Sequence, residues 1–254
     1  VTALSDEMRA RTLARFELHR QAWAQNRPLR ALYADLYARV AAELPPRARG
    51  RRIELGSGPG FAREFIPDIE LTDLVRAPWH DGELSAESLP FADRAVGALV
   101  LFDVLHHLPS PRRFFEEATR VLAPGGRIVM CEPYISALSY PVYKFLHEEP
   151  LDLGADPLAP QDAAGGRDPF DANQGIPTLL FGRGRPAFAE AFPALSIVRV
   201  QHMTGFSFPA SGGFSHAPLL PWPLWSLLHR LDARLPPALM RWAAFRMLVV
   251  IERQ

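Results

Sequence analysis

A single cysteine in 254 residues excludes an internal disulfide, so the fold has to rest on its core and not on covalent staples. Cys131 sits inside an apolar strand pattern and reads as a small buried hydrophobe in a reducing compartment. Excess charge of either sign is also missing. The 28 basic residues balance 28 acidic ones, Lys144 is the only lysine, and no basic run could neutralise a series of phosphates. That excludes a nucleic-acid partner on electrostatic grounds. No uninterrupted apolar run reaches the roughly 20 residues of a membrane span. The first helical sequence is charged where a signal segment would be apolar, so a cytoplasmic location is expected. Metal-ligand spacings and Ser-His-Asp patterns are absent too, and no metal is expected.

What is present is 48% hydrophobic residues, enough for one α/β domain with insertions over 1–254. The chain is organised around Arg51-Arg52-Ile53-Glu54-Leu55-Gly56-Ser57-Gly58-Pro59-Gly60-Phe61, an apolar strand running into a glycine-rich turn and then a helical segment. Glycines at 56, 58 and 60 can take positive φ and let a ligand lie against bare backbone, with the amides of the following helix facing it. Asp73 ends the next strand, about where an open α/β sheet offers an acid to a ribose.

Ahead of this turn, residues 1–46 form a helical preface. Leu13, Phe16 and Trp23 mark one face of the first helix, and Leu29, Leu32, Tyr33, Leu36, Tyr37, Val40 and Leu44 stripe the second. Behind it come a short helix over 61–66, a strand over 68–74 and an irregular stretch over 75–88. Residues 96–102 are continuously apolar, as a central parallel strand covered on both faces should be. Ser110-Pro111 predicts a helix start, with Phe114, Phe115, Ala118, Val121 and Leu122 facing inward. Strand resumes at 127–132. Beyond it the alternation lapses into a lid-like insertion over 134–185, with a helix over 138–147 and a Pro/Gly/Asp-rich tract over 150–177. Residues 186–254 return to the sheet through a helix at 186–192, a strand at 195–201 and a last strand at 246–252, around an insertion over 203–240. Such alternation predicts a doubly wound, Rossmann-like, seven-stranded and mostly parallel sheet with helices on both faces, its ligand crevice at the carboxyl ends of the strands.

Four segments in order resemble the class I S-adenosylmethionine-dependent methyltransferases of the small-molecule type with a Leu-Pro-Phe adenine loop. They are Glu54 to Gly60, Leu89-Pro90-Phe91, Val104-Leu105-His106-His107-Leu108, and Val121 to Arg127. The resemblance covers roughly 50–133. It implies S-adenosylmethionine as cofactor, S-adenosylhomocysteine as product, and cofactor contacts from Glu54, Gly56, Ser57, Gly58, Gly60, Asp73, Ala86, Glu87 and Asp103. In that reading Glu54 supports the loop near the amino group, Asp73 takes the ribose hydroxyls and the Ala86 amide meets the adenine. Ser85 stands where the family often has an aspartate, leaving Asp81, Glu83 or Glu87 to replace it.

Methyl transfer from a sulfonium needs alignment, plus a base where the acceptor keeps a proton. His106 and His107 follow the strand end nearest the acceptor and are the candidate bases, though capping and packing explain a lone histidine equally well. Tyr134, His147 and Asn173 are the candidate acceptor contacts. Phe206, Phe208, Phe214, Trp222 and Trp225 suggest a small, largely apolar acceptor, with O-methylation slightly favoured. The two tryptophans also fit a packed cap or a shallow contact with a membrane surface. Two other readings stay open: a cofactor-binding protein of this fold without catalysis, and a nicotinamide oxidoreductase, for which the third glycine of Gly-x-Gly-x-x-Gly is missing.

Overall fold

The computed structural model describes residues 4–46, 50–159 and 170–254. Two helices open it, α1 (Asp6–Gln25) and α2 (Arg27–Ala42). Asn26 joins them with both ends of one residue: its backbone N–H closes α1 on Ala22, and its side chain caps α2 by accepting from Leu29 N at 3.0 Å. The expected stripe of α2, Leu29 to Val40, is buried.

The sheet follows with β1 (Arg51–Leu55), β2 (Glu70–Asp73), β3 (Gly82–Glu83), β4 (Val96–Phe102) and, after helix α3 (Pro111–Val121), β5 (Leu122–Pro133). Helices α4 (Tyr140–Phe145), α5 (Ile176–Phe181) and α6 (Arg185–Ala191) precede β6 (Leu195–Met203). Then come α7 (Ser207–Ala210), α8 (Trp222–Asp232), α9 (Pro237–Ala243) and β7 (Arg246–Arg253). The seven strands run in the order β3-β2-β1-β4-β5-β7-β6, parallel from β3 to β5, with β7 antiparallel to both neighbours. The order reverses beside β1, and this switch point opens the crevice where ligands of such sheets bind.

Side-chain alternation along the central strands feeds two cores. Leu99 and Leu101 of β4, with Ile128 and Met130 of β5, pack against Phe114, Phe115, Leu180 and Phe188 on one face. Val100 and Phe102, with Val129 and Cys131, pack against α2 and Trp225 on the other. Both faces of β4 are therefore covered, and all seven of its residues are buried.

Three local readings need correction. The segment after the glycine turn is a 3-10 turn, Phe61–Glu64, and not a helix over 61–66; Pro67, which lacks an N–H, stands three residues beyond its end. The stretch 75–88 contains β3, two residues paired with Thr72 and Asp73. Helices α5, α8 and α9 lie where only irregular or apolar sequence was legible, and each carries a proline in its first turn. Part of the expected lid, 160–169, lies outside the described residues.

Candidate active site

β1 delivers the chain into a left-handed turn, with Gly56, Gly58 and Gly60 at φ of 67°, 48° and 80°. The three glycines are required for different reasons. A Cβ on Gly56 would meet Val104 at 2.6 Å and one on Gly60 would meet Trp79 at 2.5 Å, whereas at Gly58 the nearest atom is Phe16 at 3.6 Å. Only Gly58 thus leaves room on its open side. The amides of the turn itself are used within the protein: Ser57 N donates to Thr72 O, Gly60 N to Ser57 O, and Gly58 N to Asp73 Oδ2 at 2.8 Å. The Ser57 hydroxyl is also internal, donating to Glu54 O and accepting from Thr72 N.

Trp79 and His80 lock this turn, a role invisible in sequence because no helix intervenes between β2 and β3 to bring them back. Trp79 Nε1 and His80 Nε2 both lie 2.8 Å from Gly58 O. A carbonyl only accepts, so the proton of His80 is on Nε2, and Nδ1 accepts from Ala77 N at 3.1 Å.

Three carboxylates stand at the ends of three adjacent strands. Glu54 is buried; its Oε1 accepts from the Tyr37 hydroxyl at 3.1 Å and its Oε2 has no hydrogen-bond partner. Burial pushes its pKa up to about 7, against the pull of the Ser57 and Tyr37 hydroxyls. Asp73 braces the turn by accepting from Gly58 N and Val75 N; burial raises its pKa and those amides lower it. Asp103, just past β4, holds a left-handed φ of 60° and pairs with the buried guanidinium of Arg246 at the start of β7. Its pKa is raised by burial and drawn back by Arg246. Arg246 was not singled out in the sequence because its partner comes from a distant strand.

His106 and His107 lie side by side, ring centroids 4.2 Å apart. His106 Nδ1 donates to Glu132 Oε2 at 2.7 Å, and Glu132 Oε1 accepts from Val104 N at 2.9 Å and Leu105 N at 2.8 Å. On their other edges, His106 Nε2 lies 3.5 Å and His107 Nε2 3.8 Å from the Glu149 carboxylate. Burial alone would lower the pKa of His106, but Glu132 and Glu149 outweigh it and hold it at about 9. Burial and the neighbouring charge of His106 lower His107 to about 4. Burial disfavours the charged form of Glu149, yet the surrounding histidines bring it down to about 2. The arrangement leaves His106 protonated and His107 neutral at neutral pH, so of the two candidate bases only His107 is in the accepting state. His106, His107 and Glu149 also offer one donor atom each, all within 4.8 Å of one another, a grouping that spacing along the sequence did not disclose.

The remaining candidates separate cleanly. Ala86 is buried beside the adenine-loop position. The Glu87 carboxylate accepts from Ser110 N at the start of α3, which makes it a helix anchor in this state. Tyr134 stacks on His202 at 4.1 Å. His147 Nδ1 accepts from Glu149 N at 3.2 Å, so it shapes the chain at Glu149. Asn173 is spent on turns, its amide exchanging hydrogen bonds with Asp152 and accepting from Gly175 N, while its backbone N–H holds His106 O at 2.9 Å.

A cavity of about 560 Å³ lies beside these groups, lined by Arg15, Glu148, Glu149, Pro150, Phe170, Asp171 and Ala172. The glycine turn does not line it. Helix α1 links the two, with Phe16 against Gly58 and Arg15 over the Phe170 ring at 4.2 Å. The expected aromatic wall is elsewhere: Trp225 is buried against Trp222 and His229, Phe208 packs on Phe245, and Phe214 stacks on His19. The cavity is correspondingly richer in charge than the sequence suggested.

Comparison with known proteins finds methyltransferases. A family model described as a methyltransferase domain matches residues 70–130. An uncharacterized methyltransferase of Mycobacterium sp. (strain JLS) is 32% identical over 114 residues, which is 39% of this chain and 44% of that protein. A demethylmenaquinone methyltransferase of Clavibacter sepedonicus is 45% identical over 47 residues, 18% of this chain and 19% of its own length. The chain therefore spans less than half the length of these relatives. Geranyl diphosphate C-methyltransferase of Streptomyces coelicolor A3(2), solved with S-adenosylhomocysteine, is 13% identical, with a TM-score of 0.48 over 93% of this chain and 83% of that one. Residues 70–130 match the model of the methyltransferase domain family, and they lie in a Rossmann-like sheet.

Proposed function

We propose that this protein transfers a methyl group from S-adenosylmethionine to the oxygen of a small acceptor bearing a hydroxyl, polar on one side and apolar on the other. The observation that carries the reading is the buried Glu54 carboxylate with one oxygen unpartnered, at a strand end between the glycine turn and two further carboxylates, Asp73 and Asp103. A buried acid with one oxygen unpartnered suits a cationic ligand, which would supply the missing charge and donor. Glu54 would take the ammonium of the cofactor, Asp73 the ribose hydroxyls, the Ala86 amide the adenine, and Gly58 the close approach. When bound, the cofactor supplies a methyl group already activated by positive sulfur.

The chain's own residues then align and deprotonate. The acceptor hydroxyl would give up its proton to His107, the neutral imidazole of the pair, while Glu54, Asp73 and Gly58 would hold the cofactor that supplies the methyl group. Pro150, Phe170 and Ala172 offer apolar wall for the acceptor, and the described residues 134–159 and 170–185 would cover it against water. Among the described residues no helix is long and apolar enough to cross a membrane. The exposed apolar face of α8 and α9 supports peripheral contact with a lipid surface, from which such an acceptor could be drawn.

Titration calorimetry with S-adenosylmethionine and S-adenosylhomocysteine, followed by a labelled-methyl assay over phenolic, quinol-like and polyketide-like acceptors, tests this. Saturable binding with turnover is expected. Binding without turnover on any acceptor would favour a non-catalytic binding protein, and preference for NAD would overturn the assignment.

A further inference from the structure

We propose that His106, His107 and Glu149 form a binding site for a divalent first-row transition metal ion. Neither histidine has a free choice of tautomer. His106 Nδ1 donates to Glu132 Oε2 at 2.7 Å, and His107 Nδ1 donates to the carbonyl of Asp171 at 3.3 Å. Once a metal ion displaces the Nε2 proton of His106, each ring would present its lone pair on Nε2, and both Nε2 atoms approach the Glu149 carboxylate, at 3.5 and 3.8 Å.

Metal-ligating histidines characteristically donate their second N–H to a carboxylate or a carbonyl, which fixes the ring and raises its basicity. Both forms are present here. The supporting layer is itself held: Glu132 by two backbone N–H groups, Glu149 by the Gln174 side chain, and the segment of Asn173 by His106 O. The donors lie within 4.8 Å of one another, against about 3.3 to 3.5 Å between tetrahedral zinc ligands, so coordination would draw them together by up to about 1.5 Å. Two imidazoles and one carboxylate are a common donor set for zinc and iron(II) with positions left open.

A second triad, Asp103, His106 and Glu132, also clusters, but Asp103 is occupied by Arg246 and Glu132 by backbone amides. The first triad is also the one that opens outward. His106 is buried, whereas the His107 and Glu149 side chains are each 18% exposed and Glu149 lines the cavity, so open coordination positions would face that space. Arg15, on the same cavity, is drawn aside over Phe170. What the open positions would hold, an acceptor oxygen, rests on the methyl-transfer reading. The metal site itself does not.

The test therefore uses the metal alone, without cofactor or acceptor. Cobalt(II) added to the full chain is expected to bind at one equivalent and to give visible bands of low-coordinate cobalt with nitrogen and oxygen ligands. Zinc should displace it. His107→Ala and Glu149→Gln should lose binding by at least a hundredfold, Glu132→Gln should weaken it ten- to a hundredfold, and His202→Ala should leave it unchanged. X-ray absorption of the zinc-loaded wild type, which needs no variant to fold, should show two imidazoles and an oxygen shell. No saturable binding, equal binding in the His107 and Glu149 variants, or a shell without two imidazoles would overturn the proposal.

Discussion

At the scale of single residues, the glycine turn separates two effects that a motif alone blends. Gly60 is required by a φ of 80° and by Trp79 at 2.5 Å from the missing Cβ, while Gly58 has a similar φ and no such neighbour. Gly60→Ala should therefore destabilise the fold by about 2 kcal/mol or more, and Gly58→Ala by about 1 kcal/mol. The order should invert for the cofactor, with Gly58 the more damaging in calorimetry. Asp73 combines both roles: Asp73→Ala should weaken cofactor binding by about 2 kcal/mol and lower the melting temperature, because Gly58 N and Val75 N lose their acceptor.

Glu54 gives the clearest pH signature. With its pKa raised from 4.5 to about 7, the folded chain keeps a proton that the unfolded chain releases, so stability falls as pH rises across that window, by up to about 3 kcal/mol, and levels off above it. His106 acts elsewhere, adding stability that is complete below 6.5 and lost as pH rises towards about 9. The difference in thermal stability between wild type and Glu54→Gln, followed against pH, isolates the first window. Affinity for a cationic cofactor should rise through pH 7 in the wild type and stay flat in the variant. A pH-independent difference would remove Glu54 from the role given to it.

At the scale of elements, what the sequence disclosed follows from how each element is stabilised. β4 was legible because burial on both faces demands seven apolar residues in a row, and α2 and α3 because each carries a stripe and a capping residue. β3 was not, since two residues carry no periodicity. The strand ends could be located from the alternation, and with them Glu54, Asp73, Asp103 and the histidines. The partners of those residues could not. Glu149 reaches His106 from an irregular stretch far along the chain, and Arg246 reaches Asp103 from the last strand; both contacts are set by tertiary packing alone.

The Asp103–Arg246 pair ties the end of β4 to the start of β7 across the intervening β5. Arg246 is 3% exposed, its Nε has no partner, and its charge is balanced chiefly by Asp103. Arg246→Met should cost about 1 to 3 kcal/mol, because it leaves the partly exposed Asp103 carboxylate without its charge partner. The double replacement with Asp103→Asn should recover much of that loss in chemical denaturation, as a double-mutant cycle would show. If the two losses simply add, the pair does not hold these strands together.

At the scale of the whole molecule, one surface is out of keeping with the balanced charge. Along α8, Trp225, Leu228 and Asp232 turn inward, with Asp232 accepting from Ser207 N at 2.7 Å. Leu224, Leu227 and Leu231 point out, and the exposed Leu219, Leu239 and Trp242 extend the apolar surface around them. Arg230, Arg234 and Arg241 accompany these residues, and the only acid between Leu219 and Ala243 is the buried Asp232. An apolar face with basic residues and no exposed acid suits the boundary of an anionic bilayer, where apolar burial sets the depth and each arginine adds about 1 kcal/mol at low salt. The protein should co-sediment with vesicles rich in anionic phospholipid, less so with neutral ones, and the binding should weaken as salt is raised. Leu227→Ser combined with Trp242→Ser should reduce it at least tenfold without changing the melting temperature, since both side chains already face outward. If the wild type stays in the supernatant with anionic vesicles at low salt, this face does not meet a membrane, and the acceptor has to reach the site from solution.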